Sequence, residues 1–433
     1  MTKPVLNPAG GSVSTQGPGY PVQLPPDLQA MIEAAVPNVI TRTFRQNSNP
    51  QRTQLQISTG TSLGSQIIQR LENIGLVQKL NLLVSASIVL ANANSSASTV
   101  TPNVSFPYNV LSNIAVMINA NNQIVNASPY ALLHENFIRH RFRLQDLVQA
   151  GTYTQDTHLS VSVSGTGSSL SGGFPGTDGS SGYTITCGAS GNTTISVSFV
   201  LEIPFVLNEE TLVGLLPLQN NTTQINLVST INPTAAGNGN AIFSALPSGV
   251  TLSSIAVTVQ PSQVFWTVPQ NPALYQSLVA NSFQIVELPN NPIVNTGTDA
   301  VKYLAQLETY LLRCWFILRD SNNNLLSTLK NIVNNVKVYY NAVVPVYNEY
   351  YAIHRAEQRA LYGTEFGPGV VLWDGNSTVG KPNEGDDSAW LDMFQTANPS
   401  FRMDLASGSL SLPGSYSAVE VRQVPAIITP VTQ

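Results

Sequence analysis

The chain has 433 residues, of which 42% are hydrophobic and only 10% charged, with a formal net charge of −5. That length allows two or three domains with substantial cores, and the mild acidity excludes a general nucleic-acid binder. Residues 80–134 and 211–286 contain no Asp, Glu, Lys or Arg, which removes much of the repulsion between copies and suits dense packing of subunits.

Residues 1–26 are rich in Pro and Gly and read as an extended arm. Asp27 is placed to cap a short helix over Leu28–Val36, because its carboxylate can accept from open backbone donors. A second short helix is expected over Ser65–Asn73, ended by Gly75. Leu111-Ser112-Asn113-Ile114 opens a strand. Ser128 and Pro129 then start a longer helix on which Tyr130, Leu133, Phe137, Leu144 and Val148 recur at helical spacing. This helix also bears a basic cluster, Arg139, Arg141 and Arg143, expected to pair with carboxylates such as Glu135 and Asp146 or to reach a neighbouring subunit. With Tyr350 and Arg355 of a later helix, these arginines are the candidate subunit-interface residues.

Leu159–Val163 alternates apolar and polar residues. Gly165–Asn192 is dense in Gly and Ser and reads as a long exposed loop. Ile195, Val197, Phe199, Leu201, Ile203, Phe205 and Leu207 then place every second side chain on one apolar face, with a bend or edge expected at Pro204. Pro233–Asn240 is an uncharged break and the expected domain boundary. Ile255–Val259 is another alternating strand. Leu329-Lys330-Asn331-Ile332 opens a strand like the one at Leu111. Pro345 is expected to start a second helix, carrying Val346, Tyr350, Ile353 and Leu361 and stopped by Gly363. Pro129 and Pro345 lie 216 positions apart, a domain-length period that predicts a duplicated β-domain.

Chemistry-bearing motifs are missing. His134, His140, His158 and His354 show no zinc spacing, and neither a Gly-X-Ser-X-Gly elbow nor a P-loop ending occurs. Glu384, Asp386 and Asp387 lack EF-hand spacing and read as a solvated acidic turn. No catalytic residue, metal ligand or cofactor is assigned, and the chain reads as a non-enzyme. Cys187 and Cys314 do not make a disulfide framework, the start of the sequence lacks a signal-peptide core, and no run is apolar enough to span a bilayer.

Phe199-Val200-Leu201-Glu202-Ile203-Pro204-Phe205, followed by Leu212-Val213-Gly214-Leu215-Leu216-Pro217-Leu218-Gln219-Asn220, resembles the end of the first barrel in double jelly-roll major capsid proteins. These are the hexon-like shell proteins of tectivirus-type phages and adenovirus. Phe401–Leu405 is an echo of Phe199–Ile203 near the end of the other half. The resemblance implies an all-β fold of two tandem eight-stranded jelly rolls, each with a helix in a strand connection. The expected division is an arm and short helix over 1–37, a first jelly roll over 38–232 with the exposed loop at 165–192, a second over 241–425, and a tail over 426–433. It further implies a homotrimer forming a pseudo-hexagonal capsomer of an icosahedral virion assembled in the host cytoplasm. The implied partners are neighbouring capsomers, penton and minor capsid proteins and often an internal membrane, with no specific nucleic acid. The rival reading is a secreted or surface β-sandwich adhesin that binds glycans, which a signal peptide would favour.

Overall fold

The computed structural model describes residues 39–119, 122–139, 158–175, 182–206, 209, 211–219, 223–237, 239–294, 296–304, 310–326, 328–339, 343, 345–374, 391–392, 400–406, 408 and 414–428. The strand Gly191–Pro204 follows the alternation in its sequence: Ile195, Val197, Phe199, Leu201 and Ile203 are all buried. It runs antiparallel to Leu76–Asn92, from Gly191 opposite Asn92 to Pro204 opposite Lys79. Val250–Trp266 pairs along the other side of Leu76–Asn92, and Leu159–Ser164 along the other side of Gly191–Pro204.

A second layer has the order Gln66–Arg70, Ile225–Ile231, Leu111–Ile118, Asn122–Ala127. The two layers enclose one core, in which Leu80, Val84, Ile195 and Leu201 meet Ile114, Val116, Ile225 and Leu227. Each such side chain contributes about 1.5–3 kcal/mol by leaving water.

The second barrel repeats this plan. Gly297–Leu304, Ser400–Leu405, Val333–Tyr339 and Pro345–Tyr350 form one layer, and Val370–Asp374, Tyr310–Arg319, Gly414–Pro425 and Asn281–Glu287 lie in the other. Its core includes Val336, Val338 and Met403, with the Phe316 and Phe401 rings stacked 4.4 Å apart. The barrels are joined edge to edge. Asn281–Glu287 pairs in parallel with Asn122–Ala127, Ile285 opposite Val125 and Val286 opposite Asn126, so that one ten-stranded sheet passes through both.

The duplication holds with a different register. In the first barrel a 3-10 turn at Tyr108–Val110 leads through Leu111–Ile118 and Asn122–Ala127 to a helix at Pro129–Ile138. In the second, Leu329–Asn331 leads through Val333–Tyr339 and Pro345–Tyr350 to a helix at Tyr351–Tyr362. The helices therefore start 222 positions apart, and Pro129 does not correspond to Pro345. Pro345 begins a strand because that segment pairs with Val333–Tyr339. The face of the second helix that is buried is Tyr351, His354, Gln358 and Tyr362 rather than Ile353 and Leu361. Gly363 ends it in the left-handed region, φ 63°, as a C-terminal glycine should. Phe401–Leu405 lies in a strand that occupies the place of Ile225–Ile231, not that of Phe199–Ile203.

Other expectations are corrected. Ser65–Asn73 is no helix: Gln66–Arg70 is a strand with Ile67 and Gln69 inward, held by Ile225–Ile231, whose pairing outweighs local propensity. The loop at 165–192 contains strands Ser169–Ser171 and Thr184–Cys187, the latter paired with Ser98–Pro102. It buries Phe174, Tyr183 and Ile185, so aromatic burial outweighs the Gly and Ser content around it. The break at 233–240 precedes Val250–Trp266, which pairs with the first barrel, and so falls inside that barrel's strand order. The arm, the Asp27 helix, His140, Leu144, Asp146, Val148 and Glu384–Asp387 lie outside the described residues.

Candidate functional site

Among the described residues, the seam between the barrels holds a well-defined cluster of polar chemistry. Its centre is the helix Pro129–Ile138, started by Pro129 and by Ser128 Oγ accepting from Ala131 N. All ten of its residues are buried, as expected for a helix apolar almost all round. It is tied to both barrels. Asn136 donates to Glu202 O at 2.8 Å and accepts from Glu202 N at 2.8 Å in the first. Tyr130 Oη donates to Pro368 O at 2.7 Å in the second.

Two titratable groups on this helix reach the second barrel. His134 Nδ1 donates to Tyr130 O at 2.6 Å, and its Nε2 accepts from Gly367 N at 3.0 Å. Burial lowers its pKa to about 4, so the ring is neutral, as these contacts require. Glu135 Oε1 accepts from Arg313 Nη2 at 2.8 Å. Arg313 Nη1 lies 3.6 Å from Asp374 Oδ2, which accepts from Tyr362 Oη at 2.5 Å. Burial pushes the Glu135 carboxyl up while the guanidiniums of Arg313 and Arg139 oppose it. Burial and the Asp374 carboxylate raise the Tyr362 phenol well above its ordinary value. The cluster locks one barrel to the other; it has no open face for a substrate.

Beyond the seam, Lys79 Nζ bridges Glu202 and Glu209, at 2.8 Å from each. In the second barrel Lys337 Nζ meets Asp404 at 2.9 Å, and the Arg402 guanidinium lies 4.1 Å from the centre of the Tyr339 ring.

The expected interface residues separate. Arg139 is buried within the subunit: its Nη1 donates to Val206 O at 2.7 Å and its Nε lies 3.6 Å from Glu202. Arg141 and Arg143 lie outside the described residues. Arg355 pairs with Glu365 at 2.9 Å on its own subunit. Tyr350 is 66% exposed and sits near exposed Ile353 and Val343 in sequence, so of the three described candidates it is the one presented outward as an apolar group. Sequence reading singled out Glu135 as a partner for the arginines of its own helix, but missed its actual ion-pair partner Arg313 as well as Tyr362 and Asp374. For Arg313 and Asp374 the signal was a single charge embedded in an apolar run, Leu311-Leu312-Arg313-Cys314-Trp315 and Val370-Val371-Leu372-Trp373-Asp374, which requires a buried partner; Tyr362 carried no such signal.

Among the described residues no group of three or more His, Cys, Asp or Glu could hold a metal, and no helix is long and apolar enough to cross a membrane. No protein-family model and no curated protein matches the sequence. Solved structures do match. The STIV MCP superposes with a TM-score of 0.55 at 13% identity, covering 87% of this chain and 97% of that one. A PBCV-1 virus capsid chain gives 0.54 at 9% identity, covering 88% and 97%. The Faustovirus major capsid protein gives 0.52 at 9% identity, covering 88% and 91%. The chain thus has the double jelly-roll fold, two eight-stranded barrels in tandem.

Proposed function

We propose that the chain is the major capsid protein of an icosahedral virion, a structural protein without catalytic activity. The observation that carries this reading is the pair of like barrels, with matching strand orders, welded through a single ten-stranded sheet. Two rigid barrels per chain make three chains a six-barrel tile, which approximates a hexagon and packs laterally in a shell. The charge-free stretches 80–134 and 211–286 favour such contact, because little repulsion opposes lateral burial. In this reading the partners are two further copies in a trimer, then neighbouring capsomers, penton and minor capsid proteins, assembled in the host cytoplasm. Tyr350 and its exposed apolar neighbours belong to a subunit contact. The barrels divide between Trp266 and Asn281 rather than at 233–240, a placement supported by the pairing of Val250–Trp266 with Leu76–Asn92.

Light scattering on purified protein tests the reading. A species of about three times the 46.4 kDa chain mass is expected, and a strict monomer at micromolar concentration overturns it.

A further inference from the structure

Between the barrels, beside the N-terminal end of the helix Pro129–Ile138, lies a cleft of about 530 Å³. Its walls include Asn109, Ser128 and Tyr130 from the first barrel and Glu287, Asn290 and Arg319 from the second. Arg319 is only 8% exposed, and its Nε is sealed from solvent without a hydrogen bond. Among the described residues its side chain makes no ion pair. A guanidinium stays charged in proteins, so this is a buried cation without a bonded anion, an arrangement that costs several kcal/mol unless something compensates it.

Glu287 is the carboxylate whose charge acts on Arg319, but both its oxygens are already engaged. Oε2 accepts from Ser128 N at 2.8 Å and Oε1 from Ser417 Oγ at 2.9 Å. The positive end of the helix dipole adds to the same field. The cleft thus offers a cationic donor within a wall of Asn and Ser side chains.

We propose that this cleft binds an acidic saccharide, its carboxylate seated on the Arg319 guanidinium and its hydroxyls against the Asn and Ser side chains of the wall. The volume lies in the range of small-molecule sites and far exceeds one carboxylate. The Asn and Ser groups around it match sugar hydroxyls, and bidentate guanidinium–carboxylate pairing supplies the anchor. This site is independent of the shell-forming role.

Titration calorimetry on the full chain, with glucuronic acid, glucose and acetate as probes, tests the proposal. Glucuronic acid should bind saturably, and glucose at least about tenfold more weakly, since a charge-assisted hydrogen bond is at stake. Arg319→Gln should reduce glucuronic acid binding by a similar factor. Asn290 is exposed on the cleft wall, so Asn290→Trp should block the cleft while leaving the urea midpoint unchanged, and it decides the matter if Arg319→Gln does not fold. Absence of saturable binding, acetate binding as tightly as glucuronic acid, or unaltered binding by Asn290→Trp overturns the assignment.

Discussion

Acidification from pH 7 to pH 5 should remove about 2 kcal/mol of stability through His134 alone. The buried ring titrates near pH 4 in the folded chain against an ordinary value of 6.5. Geometry gives the reason: Nε2 accepts from Gly367 N at 3.0 Å, and a proton there would set two donors against each other. Because the folded pKa lies below the unfolded one, the unfolded chain takes up the proton first. The contribution is complete above pH 6.5 and is lost as pH falls towards 4. Over two pH units, with one pKa unit worth about 1.36 kcal/mol, this integrates to about 2 kcal/mol. Glu135 and Glu420, whose carboxyls burial pushes up, act with the opposite sign, so the comparison must be a difference. Urea unfolding of wild type and His134→Gln at both pH values isolates the term: wild type should lose about 2 kcal/mol more than the variant. Equal losses in the two proteins, or a His134 ring resonance that titrates near pH 6.5, would refute the reasoning.

Glu135→Ala should cost about 3–5 kcal/mol in urea unfolding, because it leaves Arg313 buried without its closest anion. Gly214→Ala should lower the melting temperature, with a cost above about 1 kcal/mol: its φ is +98° and an added Cβ would lie 2.4 Å from Phe283 Cδ2. An unchanged melting temperature would show that Phe283 moves aside freely. Tyr350→Lys combined with Ile353→Lys should leave chain stability within about 0.5 kcal/mol per site, since both side chains are exposed. The same pair should shift the mass in light scattering from trimer towards monomer; a trimer as tight as wild type would remove this face from the interface.

The alternating strands were legible because a period of two is written directly in residues such as Ile195 to Phe205. The duplication was legible too, but only as a pattern. Pro129 and Pro345 looked equivalent because proline begins helices and strand edges alike, and only the pairing of Pro345–Tyr350 with Val333–Tyr339 distinguishes the two roles. Gln66–Arg70 was unreadable for a related reason: Ile67 and Ile68 suit either structure, and the strand at Ile225–Ile231 that decides between them is over 150 residues away. Arg139 stood out in a cluster of arginines and suggested a surface. Its burial depends on Val206 and Glu202, which no local window contains.

The parallel pairing of Ile285 with Val125 alters what each half of the gene can do alone. A fragment ending near Trp266 would keep its own core but expose the Asn122–Ala127 edge and a helix whose Glu135 has lost Arg313. The other fragment would expose the matching edge of Asn281–Glu287 and strand the guanidinium. Open strand edges seek partners, so the fragments should complement one another in a mixture rather than persist as soluble singles. Two barrels of common plan have thereby ceased to be interchangeable modules: each now contains the other's missing border.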